Sequence, residues 1–513
     1  MDKVLIFDTT LRDGEQALSS SLSVKEKLVI AHTLAKLKID IIEAGFPVSS
    51  PGDLESVRQI ANNVEGPIIA GLARAVKADI DACAEALKDC PRPRIHTFIA
   101  TSNVHVESKL RKGYDEVVNM AVDAVKYARN FVDDVEFSCE DAGRTDRDML
   151  CRVVEEAIKA GAKTINIPDT VGYTVGYEFG DIIKDVFNRV PNIDQATISV
   201  HCHNDLGQAS ANSLMAVLNG ARQIECTVNG LGERAGNCAM EEVVMAMNTR
   251  KDIFGVETNI ITEEIVPASR LISKICNTPV QPNKAIVGAT AFAHSSGIHQ
   301  DGVLKSRNNY EIMTPESVGL SANQFHLTSR SGRHIIKHRL SLLGYEENSY
   351  DLDAFYVKFL ALADKKGTVY DDDLEAMMEI DGEDSDRFKM TFLNTTSGTG
   401  SVPTATIKII DANEEEKEIQ EAATGDGPVD AACKAIDRVV GYSVKMVDYN
   451  LTGMTGGRNA LGEVKIIAEH KERRYHGSGS STDIVEASAL AYLNVINKVA
   501  RMEGIEKIKE NRA

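Results

Sequence analysis

The sequence predicts an α/β fold that begins with a (β/α)8 barrel, the TIM barrel, and continues into a mostly helical linking region and a C-terminal α+β domain. Over the first 250 residues, eight short runs rich in apolar and β-branched residues alternate with longer amphipathic patterns. This alternation is typical of the barrel. No Gly-x-Gly-x-x-Gly pattern follows the first run, which disfavours the competing doubly wound sheet.

The predicted strands are separated by patterns that fit helices of ordinary length. Residues 23–37 and 147–161 show the apolar spacing expected of amphipathic helices. Ser23 is a predicted N-cap of the first helix, because its hydroxyl can accept a hydrogen bond from a free N–H of the first turn. The eight predicted strands cover residues 5–11, 39–46, 67–73, 94–101, 134–141, 164–170, 197–205 and 223–230.

Two further regions follow the barrel. From about residue 251 to 390, helical patterns and polar loops replace the strand–helix alternation, and we expect an exposed boundary near 381–387. Beyond it, strands followed by a helix occur twice, and a Gly-x-Gly, Asp, Ala-rich pattern recurs at 425–435 and 477–489. This weak internal repeat suits ligand sensing, dimerisation or simple structural duplication. The predicted domains are therefore 1–267, 268–387 and 388–513.

Composition excludes several classes of function. The formal net charge is −19 and no basic block occurs, which argues against a surface for nucleic acid or anionic membranes. No signal-peptide apolar region precedes Asp8 and no apolar run of 18 or more follows, so we expect a cytoplasmic protein. Nine cysteines without a Cys-x-x-Cys pair indicate reduced thiols.

Polar residues cluster where the predicted strands end. In a (β/α)8 barrel, the carboxyl ends of the strands form the active site. Each of these residues alone has an ordinary structural explanation, such as a turn or a hydrogen-bonded core histidine. Their number on one rim predicts a functional site, formed by Arg12, Asp13, Glu43, His96, Glu140, Thr170, His201, His203 and the loop 231–237 with Asn237.

The pair His201 and His203 predicts a metal site. Side chains alternate along a strand, so the two imidazoles share one face and Cys202 takes the other. Asp13 on the first strand can add a carboxylate, and Asn237 an oxygen ligand or a neighbouring contact. Two nitrogens and one or two oxygens, with open positions, are typical of a catalytic centre. Without a thiolate, Mn²⁺, Mg²⁺ and Zn²⁺ all fit.

Arg12, beside Asp13, predicts a reaction of a 2-oxo acid. Such an acid chelates a divalent metal through its carboxylate and ketone oxygens, and the metal polarises the ketone. A guanidinium next to that ketone stabilises the alkoxide that develops when a carbon–carbon bond forms. Glu43 can hold Arg12 in place, which is compatible with an ordinary buried ion pair.

Several multi-residue motifs are distributed along the chain. They are DTTLRDGEQ (8–16), EAGFPVSSPGD (43–53), IHTFIATS (95–102), FSCEDAGRT (137–145), INIPDTVGYT (165–174), HCHNDLG (201–207), NGLGERAGN (229–237), AHSSGIHQDG (293–302), YEIMTPESVG (310–319), SRSGR (329–333) and GDGPVDA (425–431). These motifs resemble the metal-dependent Claisen-condensing barrel enzymes, the DRE-TIM metallolyases. The resemblance covers essentially the whole chain, and within the family it is closest to the branch that uses a branched-chain 2-oxo acid.

The resemblance implies a reaction and its site residues. Acetyl-CoA condenses with 3-methyl-2-oxobutanoate, and hydrolysis of the thioester gives 2-isopropylmalate and CoA, the first committed step of leucine biosynthesis. The implied metal ligands are Asp13, His201, His203 and Asn237, and Mn²⁺ is the expected metal, with a monovalent cation such as K⁺ as a further cofactor. The implied substrate contacts are Arg12 at the ketone and Thr170 at the carboxylate, with Glu43, His96 and Glu140 beside them.

The resemblance also implies partners. In this family the base that deprotonates the acetyl methyl comes from the linking region of a second subunit, and it matches His299, relayed by Glu140. A homodimer with shared active sites is therefore expected. The C-terminal domain is expected to bind leucine as a feedback inhibitor, with Gly425 and Gly427 in its glycine turn. A tyrosine that some members supply from the linking region has no counterpart near 321–332.

Three alternatives remain open from the sequence. A condensing enzyme of the same class can use pyruvate (citramalate synthase) or 2-oxoglutarate (homocitrate synthase), although no extra cation for a distal carboxylate stands out in the rim motifs. A lyase or aldolase can use the same barrel, but such enzymes usually lack a C-terminal sensing domain. A non-enzymatic amino-acid sensor fits the repeat alone and leaves the polar strand ends unexplained.

Overall fold

The computed structural model describes residues 2–294, 299, 302–303, 305–306, 309–320, 327–343, 345, 350–366, 369–370, 373–374, 377–378, 387–412, 417–453, 462–471 and 473–510. The chain divides into two compact units, Met1–Ala293 with Glu311–Gln324, and His294–Tyr310 with Phe325–Ala513. Residues 381–386 of the expected exposed boundary lie outside the described residues.

The first unit contains a closed parallel barrel of eight strands, as the sequence predicted. Each strand pairs with the next, and the eighth pairs with the first in the register Leu5↔Gln223 to Asp8↔Cys226. The strands are β1 (Leu5–Asp8), β2 (Ile41–Glu43), β3 (Ile68–Arg74), β4 (Pro93–Ala100), β5 (Val135–Glu140), β6 (Thr164–Asp169), β7 (Thr197–Cys202) and β8 (Gln223–Cys226).

Most of the strands end earlier than predicted at the functional rim. The first predicted strand extended over 5–11, but β1 ends at Asp8 and Thr10–Gly14 forms a π-helical turn. The Asp8 carboxylate explains the break, because it accepts hydrogen bonds from the N–H and hydroxyl of Thr10 and turns the chain. Arg12 and Asp13 therefore lie on a turn after the strand, and the prediction that they end the strand itself was wrong.

Eight main helices surround the barrel. Ser23 caps the first one, because its hydroxyl accepts from the Glu26 N–H while the Glu26 carboxylate accepts from the Ser23 N–H. The fifth ends at Gly161, whose positive φ of 109° suits glycine. The helices are α1 (Val24–Lys36), α2 (Pro51–Asn63), α3 (Lys77–Ala86), α4 (Tyr114–Ala128), α5 (Arg147–Ala160), α6 (Gly176–Arg189), α7 (Ala209–Leu218) and α8 (Met240–Thr249).

Two short strands outside the barrel, Asp2–Lys3 and Val256–Glu257, pair in parallel with each other. The helix α9 (Ile265–Ile275) follows and buries Ile265 and Ile272 in the same core as the barrel helices. In the second unit, α10 (Arg333–Leu342) and α11 (Leu352–Lys366) share a separate small core. The described part of the chain contains no helix long and apolar enough to cross a membrane.

The C-terminal part repeats one strand–strand–strand–helix motif, as predicted. Each copy has a three-stranded antiparallel sheet, and both contribute to one core, in which Ile407, Ile436, Ile466 and Ile496 are buried. The copies are β9 (Phe388–Thr396), β10 (Thr404–Asp411), β11 (Lys417–Thr424) and α12 (Pro428–Val440), then β12 (Lys445–Gly453), β13 (Gly462–His470), β14 (Arg473–Ser481) and α13 (Ile484–Glu510).

Candidate metal centre

Three side chains converge at the carboxyl end of the barrel. Asp13 lies on the π-helical turn after β1, His201 is the penultimate residue of β7, and His203 follows that strand directly. The Nε2 atoms of the two histidines are 3.1 Å apart. They lie 3.3 Å (His201) and 3.5 Å (His203) from Oδ2 of Asp13. All three side chains are buried, so the predicted ligand cluster is brought together.

Cys202, between the two histidines, lies in the hydrophobic core and not in this cluster. Burial raises the pKa of its thiol well above the ordinary value. A metal ligand would have to be a thiolate, so the buried, protonated Cys202 is a packing residue.

Asn237 is held beside His203 by backbone contacts. The two residues form an isolated antiparallel β-bridge, and the N–H of Cys238 donates to the Cys202 carbonyl at 2.9 Å. The Asn237 side-chain amide donates to the Leu231 carbonyl at 2.9 Å. Its Oδ1 is buried and has no hydrogen-bond partner in the part of the chain that the structure describes, so this oxygen of the predicted fourth ligand is available to a cation.

The donor set fits a divalent cation. Oδ2 of Asp13 and Oδ1 of Asn237 are buried and accept no hydrogen bond from the described residues, and such atoms are costly unless something satisfies them. The two facing Nε2 atoms compete for a single proton, whereas a cation satisfies both lone pairs at once. Two imidazole nitrogens and one or two oxygens suit Mn²⁺, Mg²⁺ or Zn²⁺.

The charges of the cluster place a proton on His201. Burial lowers the pKa of His201, but the negative charges of Asp13 and Glu225 beside it outweigh burial and raise the pKa to about 9. Burial and the neighbouring His201 cation lower the pKa of His203 to about 3. Burial raises the pKa of Asp13, but Arg12 and the histidines outweigh it and hold that pKa below its usual range. A bound cation therefore has to displace the proton of His201.

Metal binding is expected to release about one proton per site at pH 7 to 8, because a ligand histidine must be neutral. Since the pKa of metal-free His201 is about 9, apparent affinity should rise about tenfold per pH unit below that value and level off above it. Titration calorimetry with Mn²⁺ in two buffers of different ionisation enthalpy measures the released proton. Identical heats in both buffers would contradict this assignment.

Arg12 is fixed by carboxylates on both sides. Its NH1 lies 3.1 Å from Oδ1 of Asp13, and its Nε donates to Oε2 of the fully buried Glu43. The other Glu43 oxygen lies 2.7 Å from Nδ1 of His96, and Nε2 of His96 lies 2.7 Å from the Ser138 hydroxyl. The predicted bracing of Arg12 by Glu43 matches this geometry. His96, by contrast, has both ring nitrogens hydrogen-bonded within the protein.

A cavity of about 230 Å³ opens above the cluster. Arg234 also lines it, but Asp205 pairs with that guanidinium at 2.8 and 2.9 Å. Asn237 lines an adjoining cavity of about 360 Å³ instead. The first cavity is lined by Arg12, Asp13, Gln16, Leu72, His96, Phe98, Ser138, Glu140, Asn166, Pro168, Thr170, His201, His203, Glu225, Glu233 and Arg234.

Thr170 and Glu140 on the cavity wall have defined partners. The backbone N–H of Asp141 donates to the Thr170 hydroxyl oxygen at 2.9 Å, which leaves the hydroxyl hydrogen available to an anion. Lys109 lies 2.7 Å from Oε1 of Glu140. The sequence analysis did not identify Lys109, Ser138 or Glu225. Ser138 and Glu225 could have been found as polar residues at inward-facing positions of predicted barrel strands.

The remaining predicted residues lie in the second unit. His299 is exposed, and its ring centroid lies 4.6 Å from that of Tyr310. Gly425 and Gly427 lie between β11 and α12, and a Cβ at Gly425 would come within 2.4 Å of the Ala431 nitrogen. That close approach explains the first glycine of the motif, whereas Gly427 has open space around it.

Comparisons with known proteins cover the whole chain. Residues 3–272 match the HMGL-like family model, 286–367 the homocitrate synthase post-HMGL domain-like model, and 368–500 the LeuA allosteric (dimerisation) domain. Among similar proteins is a 2-isopropylmalate synthase of Tolumonas auensis, 59% identical over 100% of this chain and 98% of its own. The 2-isopropylmalate synthase of Aeromonas hydrophila is 58% identical over 100% of this chain and 98% of its own. That of Shewanella halifaxensis is 60% identical over 99% of this chain and 97% of its own.

Proposed function

The chain belongs to the 2-isopropylmalate synthase family, the members of which are transferases, and we propose that it condenses acetyl-CoA with 3-methyl-2-oxobutanoate. Hydrolysis of the resulting thioester then gives (2S)-2-isopropylmalate and CoA, the first committed step of leucine biosynthesis. The observation that carries the proposal is the convergence of Asp13, His201 and His203 beside Arg12 in a chain of this family.

Asp13, His201 and His203 hold a divalent cation in this proposal, with Oδ1 of Asn237 as a further ligand. Support comes from one oxygen each of Asp13 and Asn237, which are buried and have no hydrogen-bond partner among the described residues. When bound, the cation polarises the ketone of the 2-oxo acid as a Lewis acid. Mn²⁺ is the proposed metal, Mg²⁺ and Zn²⁺ are the alternatives for this mixed set of nitrogen and oxygen donors, and K⁺ is a proposed monovalent cofactor.

Arg12 and Thr170 bind the ketone and the carboxylate of the 2-oxo acid, respectively. The Arg12 guanidinium stabilises the negative charge that develops on the ketone oxygen during carbon–carbon bond formation. Glu43 and Asp13 fix its plane before the substrate arrives, so little reorganisation is needed. The Thr170 hydroxyl, which accepts from the Asp141 N–H, donates its hydrogen to the substrate carboxylate.

The side chain of the 2-oxo acid lies against apolar residues in this proposal. Leu72, Phe98 and Pro168 line the cavity, and an isopropyl group suits them better than a second carboxylate. Besides Arg12, which contacts the ketone in this proposal, Arg234 lines the cavity and could bind such a carboxylate, but Asp205 neutralises it. This arrangement favours 3-methyl-2-oxobutanoate over 2-oxoglutarate. An experiment has to distinguish 3-methyl-2-oxobutanoate from pyruvate, which is also apolar at this end.

The acetyl methyl loses its proton to His299 of a second chain in a homodimer, directly or relayed by Glu140. The LeuA allosteric (dimerisation) domain match supports a dimer. Imidazole suits the role because its ordinary pKa lies near neutrality. Leucine is the proposed feedback inhibitor, bound where the glycine turn with Gly425 and Gly427 leads into α12.

A thiol-release assay with acetyl-CoA and a panel of 2-oxo acids tests the function. We expect kcat/KM for 3-methyl-2-oxobutanoate to exceed that for pyruvate by about tenfold or more, since its side chain has two more carbons and even one extra carbon in an apolar pocket gives such a ratio. EDTA should abolish thiol release and Mn²⁺ should restore it. A preference for pyruvate or 2-oxoglutarate would indicate a citramalate or homocitrate synthase. No thiol release with any acid would contradict the proposal, and insensitivity to leucine would contradict the regulatory part alone.

A further inference from the structure

Glu225 contacts a proposed metal ligand from within the barrel. It lies on β8 directly opposite His201 on β7, as a register pair of two adjacent parallel strands. Oε2 of Glu225 lies 2.9 Å from Nδ1 of His201, and the carboxylate is 1% exposed. Because neighbouring strands of a closed barrel fix the spacing, this contact does not depend on a loop.

The contact determines which nitrogen of His201 faces the cation. A carboxylate only accepts hydrogen bonds, so Nδ1 of His201 carries the hydrogen in this contact. In neutral imidazole the lone pair is then on Nε2, and that atom faces Asp13 and His203. The opposite tautomer would direct an N–H group at the cation.

His203 has no comparable support. Its Nδ1 is buried and has no hydrogen-bond partner among the described residues, and the residue is placed by its backbone bridge to Asn237. The two histidines are therefore held differently, one by a carboxylate and the other by the chain.

We propose that Glu225 is a positioning residue of the metal centre, which fixes the tautomer and ring orientation of His201 and so strengthens binding of the divalent cation. The inference rests on the metal site of the proposed function and deepens it. Carboxylates that hold a ligand histidine in this way typically contribute 10- to 100-fold to metal affinity.

Glu136 provides a matched control. It is buried on β5 in the same barrel interior. One of its carboxylate oxygens lies within 4.8 Å of a carboxylate oxygen of Glu225. Its oxygens accept from Arg94 at 2.8 Å and from Gln223 at 2.8 Å. It therefore shares the burial and surroundings of Glu225 but makes no hydrogen bond to His201.

The test compares Glu225→Gln with Glu136→Gln. Glutamine has the same size, but its amide can donate to Nδ1 of His201 and select the wrong tautomer. Competition with a chelating dye should show Mn²⁺ binding about 10- to 100-fold weaker in Glu225→Gln and unchanged in Glu136→Gln. Equal affinity of wild type and Glu225→Gln would overturn the inference but leave the metal site intact. Absence of Mn²⁺ binding by the wild type would contradict the metal site itself, and the inference with it.

A measurement on the wild-type protein keeps the inference testable if Glu225→Gln does not fold. The measurement is ¹⁵N NMR of the Zn²⁺-loaded enzyme labelled at its histidines. The His201 signal is assigned as the one that disappears in His201→Asn, and it should show a hydrogen on Nδ1. A hydrogen on Nε2, or none on Nδ1, would overturn the role of Glu225.

Discussion

Replacing His203 by alanine is expected to lower kcat for thiol release by about 10³-fold or more, because the cation supplies several kcal/mol of charge stabilisation in such reactions. The imidazole is one of three converging candidate ligands, and the methyl group of alanine cannot bind a cation. Metal content by elemental analysis and thiol release measured on the same samples should fall together.

His32 offers a matched control for that variant. It is an exposed histidine of α1, so His32→Ala should keep both the metal and the activity. A His203→Ala enzyme that retained full turnover and bound one Mn²⁺ per chain would show that the cluster is not the catalytic metal site.

Replacing His299 by alanine is expected to lower kcat by about 10²- to 10³-fold, the usual contribution of a general base, while Mn²⁺ affinity stays unchanged. His294 belongs to the same unit, and His294→Ala serves as the control with near-normal turnover. Full activity of His299→Ala with normal metal binding would remove His299 from the role of base.

Mixing the two inactive variants tests whether active sites are shared. In a mixed dimer of His203→Ala and His299→Ala chains, one barrel keeps its metal ligands and can receive an intact His299 from its partner. Random mixing of a twofold-symmetric dimer should restore about a quarter of wild-type activity. No recovery, in a mixture shown to contain mixed dimers, would place His299 and the barrel of one active site in the same chain.

The barrel was predictable because its pattern is regular and repeated. Eight runs with the pattern of a strand alternate with helical patterns, and few folds other than the barrel accommodate eight such units in succession. The strand ends were less predictable, since Asp8 bends the chain through hydrogen bonds to Thr10 that no periodicity expresses. Arg12 and Asp13 thus lie on a π-helical turn, although the sequence placed them correctly on the rim.

The candidate site was predictable in its ligands and not in the residues that support them. His201 and His203 stand out because two imidazoles on one face of a strand can bind the same metal ion. Glu225 and Ser138 look like ordinary strand residues, and only closure of the barrel brings them to His201 and His96. The second Gly-x-Gly pattern of the internal repeat, at residues 477–479, also could not be interpreted from the sequence alone. A Cβ at Gly477 would come within 2.2 Å of the Ala491 carbonyl, so helix packing there explains a pattern that also suits ligand binding.

Anomalous diffraction from crystals of the enzyme soaked with Mn²⁺ and 3-methyl-2-oxobutanoate tests the central claim most directly. The account predicts one manganese peak per barrel, bonded to Oδ2 of Asp13 and to Nε2 of His201 and His203, with the 2-oxo acid beside Arg12. A peak elsewhere, or a 2-oxo acid bound away from an empty Asp13–His201–His203 cluster, would contradict it.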